Sequence, residues 1–213
     1  AVGESMQFSF YDTTYNEFAP WVKIFDPTGK LLTQGSTGDG LSLSLTALKL
    51  AGTYTITLCD STGVYAGTYD YTFVKTPGPQ TLDSTEGALT SGETRNGMIV
   101  AADIDVFTFQ AAVGESIQFS FADTSNNEFT PWVKIFDPTG KLLTQGSTGD
   151  SSSLSLTALK LAGTYTITLC DRSGVYAGLY NYTFVKTPIA HVFNTLKGTA
   201  ASGVIESDLL EIV

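Results

Sequence analysis

Histidine is almost missing from this 213-residue chain, where His191 is the only one. A Ser-His-Asp triad or a His-ligated zinc site needs more imidazole than that. His191 therefore reads as an ordinary surface residue between a folded unit and a trailing segment. Positive charge is scarce as well, with 11 Lys and Arg against 21 Asp and Glu and a formal net charge of −10. With no basic cluster, nucleic acid and anionic membrane surfaces are poor partners. No apolar run approaches the roughly 18 residues of a membrane helix. Carboxylates are plentiful, but no motif announces a cleft for paired-carboxylate chemistry. The chain reads as a non-enzyme.

What is present is a near-exact internal copy. Ala1-Val2-Gly3-Glu4-Ser5 returns as Ala112-Val113-Gly114-Glu115-Ser116, and 66 of 77 positions match at a constant offset of 111. A period that long is domain-sized rather than solenoid-sized. Domains of about 100 residues bury an ordinary core without metals or disulfides. Abundant Thr, Ser, Gly and Tyr with 15% charged residues fit an all-β class. The first residue lies inside a repeat, so the chain is expected to be a mature or excised piece of a secreted protein.

Apolar and polar residues alternate in Met6-Gln7-Phe8-Ser9-Phe10, Leu41-Ser42-Leu43-Ser44-Leu45, Thr53-Tyr54-Thr55-Ile56-Thr57-Leu58 and Thr68-Tyr69-Asp70-Tyr71-Thr72-Phe73. Period two predicts half-buried strands with Thr and Ser toward water. Asp26-Pro27-Thr28-Gly29 and Asp60-Ser61-Thr62-Gly63 are turns in which Asp caps and Gly accepts positive φ. Asn96-Gly97 is a hairpin dipeptide. The expected fold is all-β: two tandem antiparallel β-sandwich, jelly-roll-like domains plus a C-terminal stray strand. Residues 1–77 form the first repeat, 78–88 a linker, 89–188 the second repeat, 189–202 a linker and 203–213 an opening strand of a further repeat. The first core is expected to hold Phe8, Phe10, Ile24, Tyr54, Ile56, Leu58, Tyr71 and Phe73. Phe119, Phe121, Ile135, Tyr165, Ile167, Leu169, Tyr182 and Phe184 take those roles in the second.

The order of signatures resembles a family. Asp103-Ile104-Asp105-Val106-Phe107-Thr108-Phe109 is followed by Gly114-Glu115-Ser116, then by Val133-Lys134-Ile135-Phe136-Asp137-Pro138-Thr139-Gly140-Lys141, and finally by Leu161-Ala162-Gly163-Thr164-Tyr165. This is similar to the bacterial pre-peptidase C-terminal domain, a sandwich appended to secreted proteases and surface proteins. The resemblance spans residues 89–186 and, in the shorter copy, 1–75. Related collagenase modules bind calcium and collagen, but their acidic calcium segment has no clear counterpart here. Asp103 and Asp105, with Asp83 and Glu86, are the residues that could offer oxygen ligands to calcium. Equally, they edge a strand and keep it soluble. No cofactor is expected otherwise.

Cys59 and Cys170 are one position in two copies, so no bond between them is expected. Cys59 shares parity with Thr53, Thr55 and Thr57, which puts it on the polar face if the strand stays regular. A bulge would instead turn it inward as a small buried thiol, and contact with another subunit is a third reading. Trp21 and Trp132 are expected to pack at the sandwich edge rather than serve as a sugar platform, because Tyr11 and Tyr15 become Ala122 and Asn126 in the copy. The Asn181-Tyr182-Thr183 sequon is present in one copy only.

The repeat frame suggests a function. The second copy has a strand-like lead-in over 97–111; the first has none, and a similar segment, Gly203-Val204-Ile205-Glu206-Ser207-Asp208-Leu209-Leu210-Glu211-Ile212-Val213, follows the second copy. Placing Asp208 on Asp105 makes Leu210 and Ile212 the inward pair. Val204, Ile205, Leu209, Leu210, Ile212 and Val213 are thus donor-strand candidates, and Phe8, Phe10, Tyr71 and Phe73 the acceptor core. The expected partners are identical subunits joined head to tail in an extracellular or cell-surface prokaryotic filament. Closure within one chain would need the units side by side; an end-to-end arrangement is expected instead. The alternatives are a carbohydrate- or collagen-binding accessory module of a secreted hydrolase, with a polysaccharide or protein ligand, or an excised fragment of a longer repeat adhesin.

Overall fold

The computed structural model describes residues 1–14, 17–36, 38–82, 86–125, 128–147 and 151–189. All its regular elements are strands. The first unit contains β1 (Ser5–Asp12), β2 (Pro20–Phe25), β3 (Leu31–Ser36), β4 (Gly40–Leu45), β5 (Thr55–Asp60) and β6 (Tyr69–Thr76). The second contains β7 (Gly87–Ala88), β8 (Glu93–Ile99), β9 (Ile104–Ala111), β10 (Ser116–Asp123), β11 (Pro131–Phe136), β12 (Leu142–Ser147), β13 (Ser151–Leu156), β14 (Gly163–Asp171) and β15 (Gly178–Thr187).

Each unit is a two-sheet sandwich. Unit 1 stacks sheet A, ordered β4-β1-β6, on sheet B, ordered β3-β2-β5. Unit 2 stacks sheet C, ordered β12-β11-β14-β9-β7, on sheet D, ordered β13-β10-β15-β8. The pairings are antiparallel except β7 with β9. Gly87 and Ala88, expected in a linker, thus belong to sheet C.

Alternation decides which face each residue takes. Ile117, Phe119 and Phe121 enter the second core while Gln118 points out. All eight residues expected in that core are buried there, with Phe107, Phe109 and Tyr180 added. In unit 1 the core is smaller: Met6, Phe8, Phe10, Val22, Ile24 and Leu48 are buried, with Tyr54, Ile56 and Leu58 packed at its edge. The turns follow from their aspartates. Asp26 Oδ1 accepts from the Thr28 amide at 2.8 Å and the Lys30 amide at 3.1 Å, and these bonds, led by that from the Thr28 hydroxyl, hold its pKa below the usual range. Gly29 closes the turn at φ 84°.

The units pack face to face, which corrects the end-to-end expectation and meets the condition for closure within one chain, an outcome that the tests below distinguish from donation between copies. The outer face of sheet A lies on the outer face of sheet C. Ser5, Gln7 and Ser9, which alternation assigns to solvent, are buried there. Ser5 Oγ donates to the Gly140 carbonyl at 2.6 Å, and Gln7 Nε2 to Thr168 Oγ1 at 2.7 Å. Lys134 Nζ donates to Gln7 Oε1 at 2.8 Å and Ser44 Oγ at 2.6 Å. Val74, Ile104, Val106 and Cys170 form a small apolar cluster beside these bonds, against Trp132. At Gly140 the Thr76 carbonyl stands where a Cβ would go, so only glycine allows this approach.

Candidate functional site

The two sandwiches differ at the lead-in of unit 2, which has no counterpart in unit 1 among the described residues. In unit 2 that lead-in is two strands rather than one: β8 extends sheet D beside β15, and β9 extends sheet C beside β14. The corresponding edges of unit 1, on β6 and β5, carry no neighbouring strand among the described residues. Between them opens a groove of about 480 Å³ lined by Phe8, Ile56, Leu58, Tyr69, Tyr71 and Phe73.

Its walls are core residues without their cover. Tyr182 and Phe184 are each 1% exposed, whereas their copies Tyr71 and Phe73 are 61% and 45% exposed. In unit 2 the cover is β9. Phe107 packs 4.8 Å from the Tyr182 ring centroid, and Phe109 lies 5.0 Å from Phe184 and stacks on Tyr165 at 5.2 Å. The rings of unit 1 already hold the covered geometry: Phe8 stacks on Tyr71 at 5.7 Å and 26°, as Phe119 does on Tyr182 at 5.4 Å and 22°. The groove is thus an apolar channel, and the two edges that border it carry no neighbouring strand among the described residues.

Of the four acceptor residues expected, Phe8, Tyr71 and Phe73 line the groove, while Phe10 is fully buried and does not. Tyr71 and Phe73 are exposed rather than buried, because what buries their copies is β9. Ile56, Leu58 and Tyr69 belong to the lining too; only the alignment of unit 1 against the strands of unit 2 identifies them. The donor candidates Val204, Ile205, Leu209, Leu210, Ile212 and Val213, and also His191 and Asp83, lie outside the described residues.

The acidic candidates converge. Glu86, Asp103 and Asp105 bring carboxylate oxygens within 4.8 Å of one another, so these three are the residues that could hold a cation. Each is also engaged by protein. Glu86 Oε2 accepts from the Val106 amide at 2.9 Å, Asp103 Oδ1 from the Ile104 amide at 2.8 Å, and buried Asp105 from the Tyr180 hydroxyl. Burial, then the Asp105 charge, push the Tyr180 pKa far up, so it stays a donor. The cluster clamps the start of β9.

Cys59 and Cys170 are both free thiols. Both stand in regular register opposite Trp21 and Trp132, so parity rather than a bulge places them on the outer face. Cys59 is exposed; Cys170 is buried because unit 1 covers it, and burial pushes its pKa up to about 11. The tryptophans are half-buried on those same outer faces rather than at the sandwich edge, each with a lysine over its ring. Asn181 of the sequon sits within β15, paired with Asn96 and Ala122.

No family model and no curated protein sequence matches the chain. Solved structures do. The chain is similar to the pre-peptidase C-terminal domain of collagenase from Bacillus anthracis, at 15% identity and a TM-score of 0.38 over 50% of this chain and 99% of that domain. It is similar to PliG of Aeromonas hydrophila, a periplasmic inhibitor of g-type lysozyme, at 14% identity and a TM-score of 0.40 over 48% of this chain and 96% of that one. The secreted serine protease VesC from Vibrio cholerae matches at 8% identity and a TM-score of 0.38, over 88% of this chain and 48% of that one. No helix among the described residues is long and apolar enough to cross a membrane.

Proposed function

We propose that this chain is a non-enzymatic structural module of a secreted or cell-surface prokaryotic protein, in which residues 203–213 of one copy fill the groove of unit 1 in the next. The observation that supports the reading is the groove itself, walled by the residues that β9 covers in unit 2. A foreign strand would satisfy both the unpaired edge and the exposed rings, as in strand complementation of pili.

The donor sequence suits the seat. With Asp208 on Asp105, Leu210 and Ile212 take the places of Phe107 and Phe109. Burying those two side chains contributes about 1.5–3 kcal/mol each. Asp208 then stands where Asp105 receives the Tyr180 hydroxyl, opposite its copy Tyr69. Gly97 and Asp105 are eight residues apart but Gly203 and Asp208 only five, too few for the turn between β8 and β9. The segment therefore supplies one strand, for the β5 edge. Repetition of such a contact makes an open polymer of identical subunits.

A second reading is an accessory module that binds polysaccharide or protein. Its support is the exposed aromatic row in the same groove, where the Tyr69 and Tyr71 rings lie 6.3 Å apart. One experiment separates the two. A chain lacking residues 203–213 should bind the free 203–213 peptide one to one, with a change in tyrosine fluorescence, and a peptide carrying Leu210→Asp should not bind. Failure of the unmodified peptide, or a full chain that stays monomeric at every concentration, overturns donation between copies. Binding of an oligosaccharide or a collagen peptide in its place supports the second reading.

A further inference from the structure

The contact between the two units is heterologous, since sheet A offers one surface and sheet C another. Because the units are copies, each surface exists twice, and this contact covers only one of each. The other copy of the sheet A surface is the outer face of sheet D. There Gln118 is exposed where Gln7 is buried, and Val185 is 39% exposed where Val74 is 2%. The other copy of the sheet C surface is the outer face of sheet B, where Thr57 and Cys59 are exposed and Thr168 and Cys170 are buried.

Both uncovered faces keep the contact chemistry. Gln7, Ser42 and Ser44 recur as Gln118, Ser153 and Ser155, while Trp132, Lys134 and Cys170 recur as Trp21, Lys23 and Cys59. The lysine is already in place: Lys134 Nζ lies 3.7 Å from the Trp132 ring centroid, and Lys23 Nζ 4.2 Å from that of Trp21. In the covered contact that ammonium is held by Gln7 and Ser44. In the uncovered one Gln118 donates instead to its neighbour Ser153, at 2.9 Å.

We infer that these faces bind each other, the outer face of sheet D of one chain docking on the outer face of sheet B of a second copy. The contact made inside one chain is thereby repeated between chains. Each added chain leaves one face of each kind uncovered, so copies add in one direction. Each chain carries a net charge of −10, so added salt favours joining by screening the repulsion between copies.

Two of the differences between the copies bear directly on the match. Gly40 becomes Ser151, adding a side chain beside the place of Val175 in the covered contact. Ile104 and Val106, which pack with Val74, lie on β9, for which unit 1 has no counterpart among the described residues. The contact between chains is therefore weaker than the internal one. It uses residues outside the groove and stands apart from strand donation.

Ser42 lies beside the Cys170 thiol in the covered contact, so Ser153 of one chain should lie beside Cys59 of another. Ser153→Cys in the full chain, under mild oxidation, should give a ladder of disulfide-linked oligomers. Mass spectrometry should place the link between Cys59 and the cysteine introduced at position 153. Ser42→Cys, which should bridge to Cys170 within one chain, calibrates the reaction. Adding Gln118→Arg to Ser153→Cys should cut the linked fraction at least tenfold, whereas deleting residues 203–213 should leave the link detectable. The inference is overturned if Ser42→Cys closes and Ser153→Cys does not, or if the ladder survives Gln118→Arg undiminished. A Ser42→Cys chain that fails to close also overturns it, since the internal contact would then differ from the one repeated.

Discussion

Phe73 and Phe184 are the same residue in two copies, and truncating each to alanine measures what β9 does for one and not the other. Phe184 is 1% exposed and packs 5.0 Å from Phe109. Phe184→Ala removes a closely packed ring and should cost about 3–5 kcal/mol. Phe73 is 45% exposed at the groove, so only about half its apolar area is lost from burial, and Phe73→Ala should cost roughly 1 kcal/mol. With a urea dependence of about 2 kcal/mol per molar, the midpoints should fall by about 2 M and about 0.5 M. The assay is urea unfolding of dilute, monomeric full chain, followed by tyrosine and tryptophan fluorescence. Repeating it at assembling concentrations should raise the cost of Phe73→Ala toward that of Phe184→Ala. Equal costs in the dilute monomer would mean that the groove is already filled within one chain, and the reasoning would fail.

Tyr180→Phe removes the donor to buried Asp105 and should cost about 1–3 kcal/mol, while Tyr69→Phe on the dilute chain should change stability by no more than a few tenths; thermal melts of the two variants compare them. Native chains should show one fast thiol toward a dilute alkylating reagent, Cys59, with Cys170 reacting only after unfolding; peptide mapping of the label checks the order. Because burial raises the Cys170 pKa from 9.0 to about 11, its contribution is fully present below pH 9 and lost as pH rises through 11. The stability difference between wild type and Cys170→Ala should therefore shrink over that window. Burial lowers the Lys134 pKa below its ordinary 10.5, so the folded state binds fewer protons and this group favours folding more as pH rises toward 10.5. The stability of wild type minus that of Lys134→Met should climb on that limb, and a flat difference would show the ammonium to be solvated.

Much of the fold was legible because each unit buries one face of each strand, and period two records that directly. Phe119 and Phe121, or Ile167 and Leu169, alternate with Gln, Ser and Thr, and they occupy the core that this pattern assigns. The Asp turns were legible for an equally local reason, since Asp26 caps amides within four residues of itself, whereas Asn96-Gly97, expected as a hairpin turn, lies within β8, its glycine making room for the Tyr180 ring. The face-to-face packing was not. Ser5, Gln7 and Ser9 carry the signature of a solvent face, and nothing local distinguishes a serine that meets water from one that meets a second domain. Copy identity hid it further, because Gln7 and Gln118 stand in the same sequence yet only the first is covered. Tyr71 and Phe73 failed as core residues for the opposite reason: alternation reports which face a residue takes, not whether a strand lies over it. The repeat frame pointed to the lead-in of unit 2 as the difference between the copies, but it could not show that this lead-in serves two sheets. Parity placed Cys59 and Cys170 correctly on the outer face, and only tertiary contact separates an exposed thiol from a buried one.

Donation between copies places residues 203–213 of one copy in the groove of unit 1 in another. A photo-crosslinking residue at Leu210, in a mixture of isotopically heavy and light full-length chains, tests it most directly. Donation between copies should give heavy–light crosslinks from position 210 to peptides containing Phe8, Tyr71 or Phe73. Crosslinks to those peptides found only within single chains, or none to the groove at all, would contradict it.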